Sequence, residues 1–360
     1  MKFSDIPHQR LLNQHIARQT FRKAEEVVHW LGAVQAQDYA AAKWAVAQRT
    51  KGLADGDLDK ALADASIIRT HVMRPTWHFV APEDIRWLLA LTAPRVKAAL
   101  AFMDRQLEMD KATLKQSRTV FIKALQDGRQ LTREEFKPVF EKAGIETGDL
   151  RMGHLLMHAE LDAIICSGPR RGKQFTYALL DERVPATKTL SREQALAELT
   201  HRYFTSHGPA TEEDFMWWCG LTRADVKNGI EAVKRELEQE VIDGKTYWFA
   251  ASMPRAKSNS LIAYLLPNYD EYVVGYTDRD AIFDPIHSEK LDSRLNPLFQ
   301  YGIVINGQIA GTWKRTLKKD GVEIELNPFA PLTKEEKKAV TAMAEKYGEF
   351  LGLKVVMRKT

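Results

Sequence analysis

The chain has 360 residues, 44% hydrophobic and 28% charged, which fits a soluble globular protein with more than one core and excludes a disordered or membrane-embedded chain. Its 52 Lys and Arg against 48 Asp and Glu leave a net charge of +4, so a polyanion partner would need a local basic patch. Cys166 and Cys219 lack any metal-ligand spacing, and no apolar run nears bilayer length, so the expectation is a cytoplasmic protein without disulfide, metal, cofactor or membrane partner.

Residues 7–50 follow a helical pattern in RLLNQHI, EEVVHWLGAV and AAAKWAVA. Within it, Val34-Gln35-Ala36-Gln37-Asp38 falls between a helix ending near Gly32 and a new helix that Asp38 caps. In an extended joint, side chains two apart point the same way, so the amides of Gln35 and Gln37 converge. Such a pair either ties up free helix ends or holds a water or polar ligand. After a Gly/Asp-rich break come the helix LDKALADA and two strands, 67–73 and 76–80, split by Arg74-Pro75. Helices followed by a two-stranded turn is the order of a winged helix-turn-helix module. Alternation gives Arg69, His71 and Met73 one face and lets Thr76 and His78 share one of theirs, gathering ionisable groups beside the helices around Gln35. These are either satisfied structural residues or, with Arg74, contacts to a substrate. A long helix follows, expected to bend at Pro94.

The order recurs twice. Residues 113–127, 132–143 and 149–161 read as helices, the second opened by the capping box Thr132-Arg133-Glu134-Glu135. A strand at 163–166, the turn Ser167-Gly168-Pro169-Arg170-Arg171-Gly172-Lys173 and the strand QFTYALL complete the second module. Arg170, Arg171 and Lys173 set three cations on that turn, facing either solvent or phosphates. The third copy runs from Ser191 through FMWWCG and a helix at 223–238 to the hairpin VIDGKTYWF, turned at Asp243-Gly244. From residue 260 the pattern becomes LIAYLLP, QYGIVINGQIAGTWKR with an Asn306-Gly307 turn, and GVEIELNPF; a helix at 334–351 and the strand KVVMR close the chain. The expected fold class is mainly α with β: three tandem winged helix-turn-helix modules at 1–106, 107–187 and 188–256, then a small β-barrel-like domain at 257–360.

VQAQD, then IIRTHVMRPTWHFVAPEDIRWLL, then LLPNYDEYVVGYTDRDAIFDP followed by IAGTWKR resemble, in this order and over nearly the whole chain, the bacterial winged-helix DNA glycosylases of the AlkZ/YcaQ type. The resemblance implies three winged helices plus a C-terminal β-barrel forming a concave DNA-binding surface. It also implies excision of N7-alkylated purines, in some members with unhooking of interstrand crosslinks joined through guanine N7. The catalytic motif of such proteins is Gln-x-Gln in the AlkZ-like branch and Gln-x-Asp in the YcaQ-like branch, and Gln35-Ala36-Gln37 matches the first. Pro75 follows Arg74 where Gly is expected, so the strand-connecting turn should differ. On this reading Gln35 and Gln37 are catalytic, while His71, Arg74, Thr76 and His78 contact substrate or orient the glutamines. Arg170, Arg171 and Lys173 contact the backbone of double-stranded DNA carrying alkylated purines, and the protein acts as a monomer. The alternative is a non-catalytic winged-helix DNA-binding protein or transcriptional regulator, which would bind DNA with salt-sensitive affinity and release no base. A third reading is an array for protein interaction, with no DNA affinity.

Overall fold

The computed structural model describes residues 1–148, 150–187, 189–254, 262–284, 286–287 and 300–358. The expected helix start at Asp149 and the expected domain boundary at 256–257 lie outside the described residues. The chain divides into two units: Met1–Leu58, Ala197–Trp218 and Arg223–Thr360 form one, and Asp59–Leu196 with Cys219–Thr222 the other.

The first unit carries the glutamine joint. Helix Ala24–Leu31 buries Ala24, Val27, Val28 and Leu31, the one-sided spacing expected of a helix laid on a core. It ends at Gly32, whose φ of +79° is a conformation open to glycine at little cost. Strand Val34–Gln35 follows, and then helix Tyr39–Ala47, capped by Asp38 as its position predicts, with Oδ1 accepting from the Ala41 N–H at 3.0 Å. Trp44 of that helix donates its indole N–H to the Leu265 carbonyl at 2.8 Å and packs edge-on to Tyr347, 5.0 Å between centroids. Tyr347 in turn meets Trp313 at 5.2 Å, and Trp313 donates to the Leu266 carbonyl at 2.8 Å. This aromatic column seats helix Tyr39–Ala47 on the C-terminal sheet, fixing the far end of the joint.

That sheet has five strands, in the order Lys354–Met357, Gly321–Pro328, Gln308–Lys318, Gly302–Ile305, Ala263–Leu266; only its Lys354–Met357 edge pairs in parallel. Helix Lys334–Leu351 packs on both edge strands, so the sheet curls around it. Among the described residues no ladder joins the two edges, which makes this a curled sheet and not a closed barrel. The two hairpin turns read from the sequence are both present. Asp243 and Gly244 (φ +48° and +76°) join Leu237–Ile242 to Lys245–Ala250, and Asn306 and Gly307 (+50° and +83°) join Gly302–Ile305 to Gln308–Lys318. Two consecutive positive φ values match the twist of the flanking strands.

In the second unit, helices Lys111–Leu125, Arg133–Lys142 and Arg151–Leu161 enclose a core of Phe121, Leu125, Phe136, Phe140, Met152 and Leu155. A three-stranded sheet, with Thr176–Leu179 between Leu131–Thr132 and Ile165–Ser167, completes this segment. The capping box is formed: the Thr132 hydroxyl accepts from the Glu135 N–H at 3.3 Å and the Glu135 carboxylate from the Thr132 N–H at 2.7 Å. Helix Ile85–Gln106 runs on through Pro94. No helix among the described residues is long and apolar enough to cross a membrane.

Candidate functional site

Gln35 ends the short strand and is 9% exposed, whereas Gln37 lies in the bend beyond it and is exposed. The strand stops before Gln37, so the alternation that would aim both side chains alike covers only the first of them. What fixes Gln35 comes from far along the chain. Its backbone N–H donates to Glu271 Oε1 at 2.8 Å, a bond spanning 236 residues. Glu271 is 0% exposed and begins the short helix Glu271–Val274. Its other oxygen, Oε2, accepts from the Trp218 indole N–H at 2.9 Å and lies 3.4 Å from His207 Nε2.

A buried carboxylate needs such donors, since losing water without compensation would cost several kcal/mol. Burial pushes His207 below the ordinary imidazole pKa, against the pull of Glu271. With its proton on Nε2 a neutral ring donates to Glu271, while Nδ1 lies 2.8 Å from Ser206 Oγ, whose hydroxyl is also 2.7 Å from the Arg202 carbonyl. The ring stacks on Tyr203 at 4.8 Å and 11°. Gly275 makes room for it, because a Cβ there would fall 2.7 Å from His207 Cδ2. Trp218 also lies under the start of the joint, 3.5 Å from where a Cβ on Gly32 would sit.

The neighbouring acid, Asp270, is equally buried and accepts from both terminal guanidinium nitrogens of Arg49, at 2.7 and 2.9 Å. Arg49 also donates to Gln14 Oε1 at 2.8 Å. Since Arg49 follows helix Tyr39–Ala47, the Asp270-Glu271 pair ties both ends of the segment that carries the glutamines.

The hairpin residues belong to the second unit. Strand Ile68–Val72 pairs with Arg74–Val80 so that Thr70 faces His78, His71 faces Trp77 and Arg69 faces Phe79. Facing residues share a side of the sheet. His71 therefore lies with Arg69 and Trp77, and His78 with Thr70 and Thr76, on opposite faces; the two histidines do not form one polar face. His71 is buried, hydrogen-bonded through Nδ1 to the buried Glu160, with its ring 4.3 Å from Trp77. His78, fully buried, donates from Nδ1 to the Thr76 carbonyl at 2.9 Å. Arg74 and Thr76 are half-buried and Pro75 is exposed. The connection is a single residue, Met73, at φ +63°, and a Cβ on Gly220 would collide with its carbonyl. Arg69, which the sequence reading left out of its site, is held between the rings of Trp77 and Phe175, each 4.3 Å from its guanidinium carbon.

On the cationic turn, Arg171 forks onto Glu135 at 2.7 and 3.0 Å, and Arg170 Nη1 is 3.6 Å from Asp59. Glu135 is held below the usual carboxylate range by the Thr132 N–H and then by Arg171. Lys173 is exposed, with no ion-pair partner among the described residues. Both cysteines are buried and neither forms a disulfide, and burial pushes the Cys166 thiol up to about 12, far from a reactive thiolate.

The signal that could have pointed to Glu271 was the pair of adjacent acids in LLPNYDEYVVG, an apolar stretch where two carboxylates call for partners; nothing local names those partners.

The family model described as "DNA glycosylase AlkZ-like" matches residues 28–350. A curated relative from Streptomyces sahachiroi, "Interstrand DNA cross-link repair glycosylase", is 25% identical over 352 residues, covering 92% of this chain and 91% of its own. The solved structure of "Streptomyces sahachiroi DNA glycosylase AlkZ" has the same fold, with a TM-score of 0.81 at 22% identity over 99% of this chain and 100% of that one.

Proposed function

Because the chain belongs to the AlkZ-like family of DNA glycosylases, hydrolases of the N-glycosidic bond, we propose that it is a monofunctional glycosylase for cationic N7-alkylated purines, with Gln35 and Gln37 placing the water. Alkylation at N7 puts positive charge on the base and weakens its bond to C1′, so the base departs without a general acid. What remains is to hold a water against C1′ and to face the developing oxocarbenium ion with fixed dipoles. The two carboxamide oxygens suit both tasks; neither amide takes up a proton near neutral pH, so their contribution is positioning. A neutral base would leave poorly under such assistance, and selectivity then resides in the charge of the lesion.

The observation that carries this reading is the engagement of Asp38. Its carboxylate caps the Ala41 N–H and hydrogen-bonds Tyr301, which removes the one acid of the motif from base chemistry. Between Gly32 and Asp38 there is no lysine, in keeping with hydrolysis that stops at an abasic site.

On the same reading the repeated helix-then-hairpin segments are three winged modules, at 1–106, 107–187 and 188–256, ahead of the β-rich part at 257–360, in a protein acting as a monomer. Arg74 and Thr76, both half-buried, contact the substrate strand; His71, bonded to Glu160, and the fully buried His78 are suited to holding the hairpin and not to touching DNA. Arg170, Arg171 and Lys173 contact phosphates. The name of the Streptomyces relative, an interstrand DNA cross-link repair glycosylase, supports counting interstrand crosslinks among the substrates; their linkage through guanine N7 is part of our proposal.

The test is release of N7-methylguanine from duplex DNA by the purified protein. Wild type should free the base and leave an alkali-labile site, and the Gln35→Ala, Gln37→Ala double variant should lose the rate while still binding DNA. An unchanged rate in that variant overturns the assignment, and a wild type that binds DNA yet frees no base from any alkylated duplex overturns the substrate class.

A further inference from the structure

We propose that Glu271 is a positioning residue for the reaction, holding the Gln35 backbone in place from the opposite end of the chain, with Trp218 and His207 fixing its carboxylate. The inference rests on the catalytic reading of Gln35 and adds to it the device that sets the geometry of that residue.

Three observations carry it. The carboxylate is fully buried, yet every oxygen has a partner: Oε1 takes the Gln35 N–H at 2.8 Å, and Oε2 takes the Trp218 indole at 2.9 Å and faces His207 at 3.4 Å. Bonds to an ionised acceptor are roughly twice as strong as neutral ones, and at low local dielectric they resist bending. The partners are themselves locked, since Trp218 packs at Gly32 and the His207 ring is stacked on Tyr203 in the space Gly275 leaves open. Finally, the bond reaches the backbone and not the side chain, so it sets where the chain runs without itself engaging the Gln35 carboxamide. Strand pairing stops at Gln35, and beyond it the joint has only the bend and the Asp38 cap, so the Glu271 bond holds the chain at the residue where it enters the bend.

The experiment is a double-mutant cycle between Glu271→Gln and Gln35→Ala. It is read as the single-turnover rate on N7-methylguanine duplex, the Kd for the same duplex, and hydrogen exchange of the peptide spanning residues 33–38. Glu271→Gln keeps the volume but sets an NH₂ donor against groups that donate. We expect a rate loss on the order of tenfold with little change in Kd, faster exchange at Gln35, and no further loss when the change is added to Gln35→Ala. Trp218→Phe, which removes the indole N–H together with the five-membered ring and keeps one aromatic ring in the core, should show the same pattern in rate, Kd and exchange beside a loss in melting temperature from the smaller side chain, and it serves if Glu271→Gln does not fold.

Full rate in Glu271→Gln, or a loss that adds fully to that of Gln35→Ala, overturns the inference and leaves the role of Gln35 intact. A Gln35→Ala variant at full rate overturns the catalytic reading itself. A parallel fall in rate, Kd and melting temperature in both Glu271→Gln and Trp218→Phe would reduce Glu271 to a packing element and also overturn the inference.

Discussion

The glutamine joint and the cationic turn handle charge in opposite ways. Around the joint, Arg49, Asp270, Glu271 and His207 are all buried, and Arg49 and Asp270 meet across 221 residues. On the turn, Arg171 and Glu135 meet across 36 residues, with side chains 49% and 43% exposed. The same charge-assisted bond has different consequences in the two settings. In the interior, breaking one partner leaves an uncompensated charge and costs about 3–5 kcal/mol, so the geometry is held to one arrangement. At the surface such a pair contributes about 0–1 kcal/mol and can be exchanged for another anion, a DNA phosphate included. The region proposed for chemistry is thus built to be rigid, and the region proposed for docking is built to exchange partners.

Arg49→Ala should give the largest effect and is the most direct way to break this contrast. It leaves Asp270 buried without its guanidinium, and we expect a loss of about 3–5 kcal/mol in urea unfolding. A loss under about 1 kcal/mol would put the interior pair in the same class as the surface one. The Gln35→Ala, Gln37→Ala double variant comes next: a rate loss of roughly a hundredfold or more, by analogy with removing a preorganised dipole, with DNA affinity and stability close to wild type. If stability fell as far as the rate, the joint would be structural in the same sense as Arg49.

The pH dependence of stability sharpens the interior side. His207 has its pKa lowered from 6.5 by burial. Above that value neither the folded nor the unfolded ring holds a proton, and its contribution to stability is complete. As pH drops below it, the unfolded chain takes up a proton that the buried ring resists, so stability falls toward the folded pKa. Unfolding measured from about pH 7 down to about pH 5 should show this loss, and His207→Gln should reduce the slope. An identical slope in the variant would mean that other groups govern the acid limb.

How much of this was legible in the sequence follows from the range of each interaction. The Asp38 cap, the Thr132 box and the Asp243-Gly244 and Asn306-Gly307 turns depend on neighbours within four residues, and all are present as read. The faces of the hairpin were half legible. Alternation gave the partition within each strand, but which faces coincide depends on register, and a one-residue connection at Met73 with a shift beside Val72 set His71 opposite Trp77. The Glu271 contact was not legible at all. An acid 236 residues from Gln35 has no local signature for that partner, only the improbability of two adjacent carboxylates in an apolar stretch.

The smallest expected effect tests the surface side, and it separates cations that the sequence treats alike. Each phosphate contact contributes about 0.9 to the slope of log affinity against log salt on duplex DNA. Among the described residues Lys173 has no anion to leave behind, so Lys173→Ala should reduce that slope by nearly the full amount. Arg171 must release Glu135 before it can reach a phosphate, and its change to Ala should reduce the slope by less, with folding stability altered by under about 1 kcal/mol. Fluorescence anisotropy on undamaged duplex over a salt series reads both. Should Arg171→Ala match or exceed Lys173→Ala, the Glu135 pair does not hold Arg171 back from DNA. The turn would then act as three equivalent charges, and its difference from the buried network would lie in exposure alone and not in how each cation is partnered.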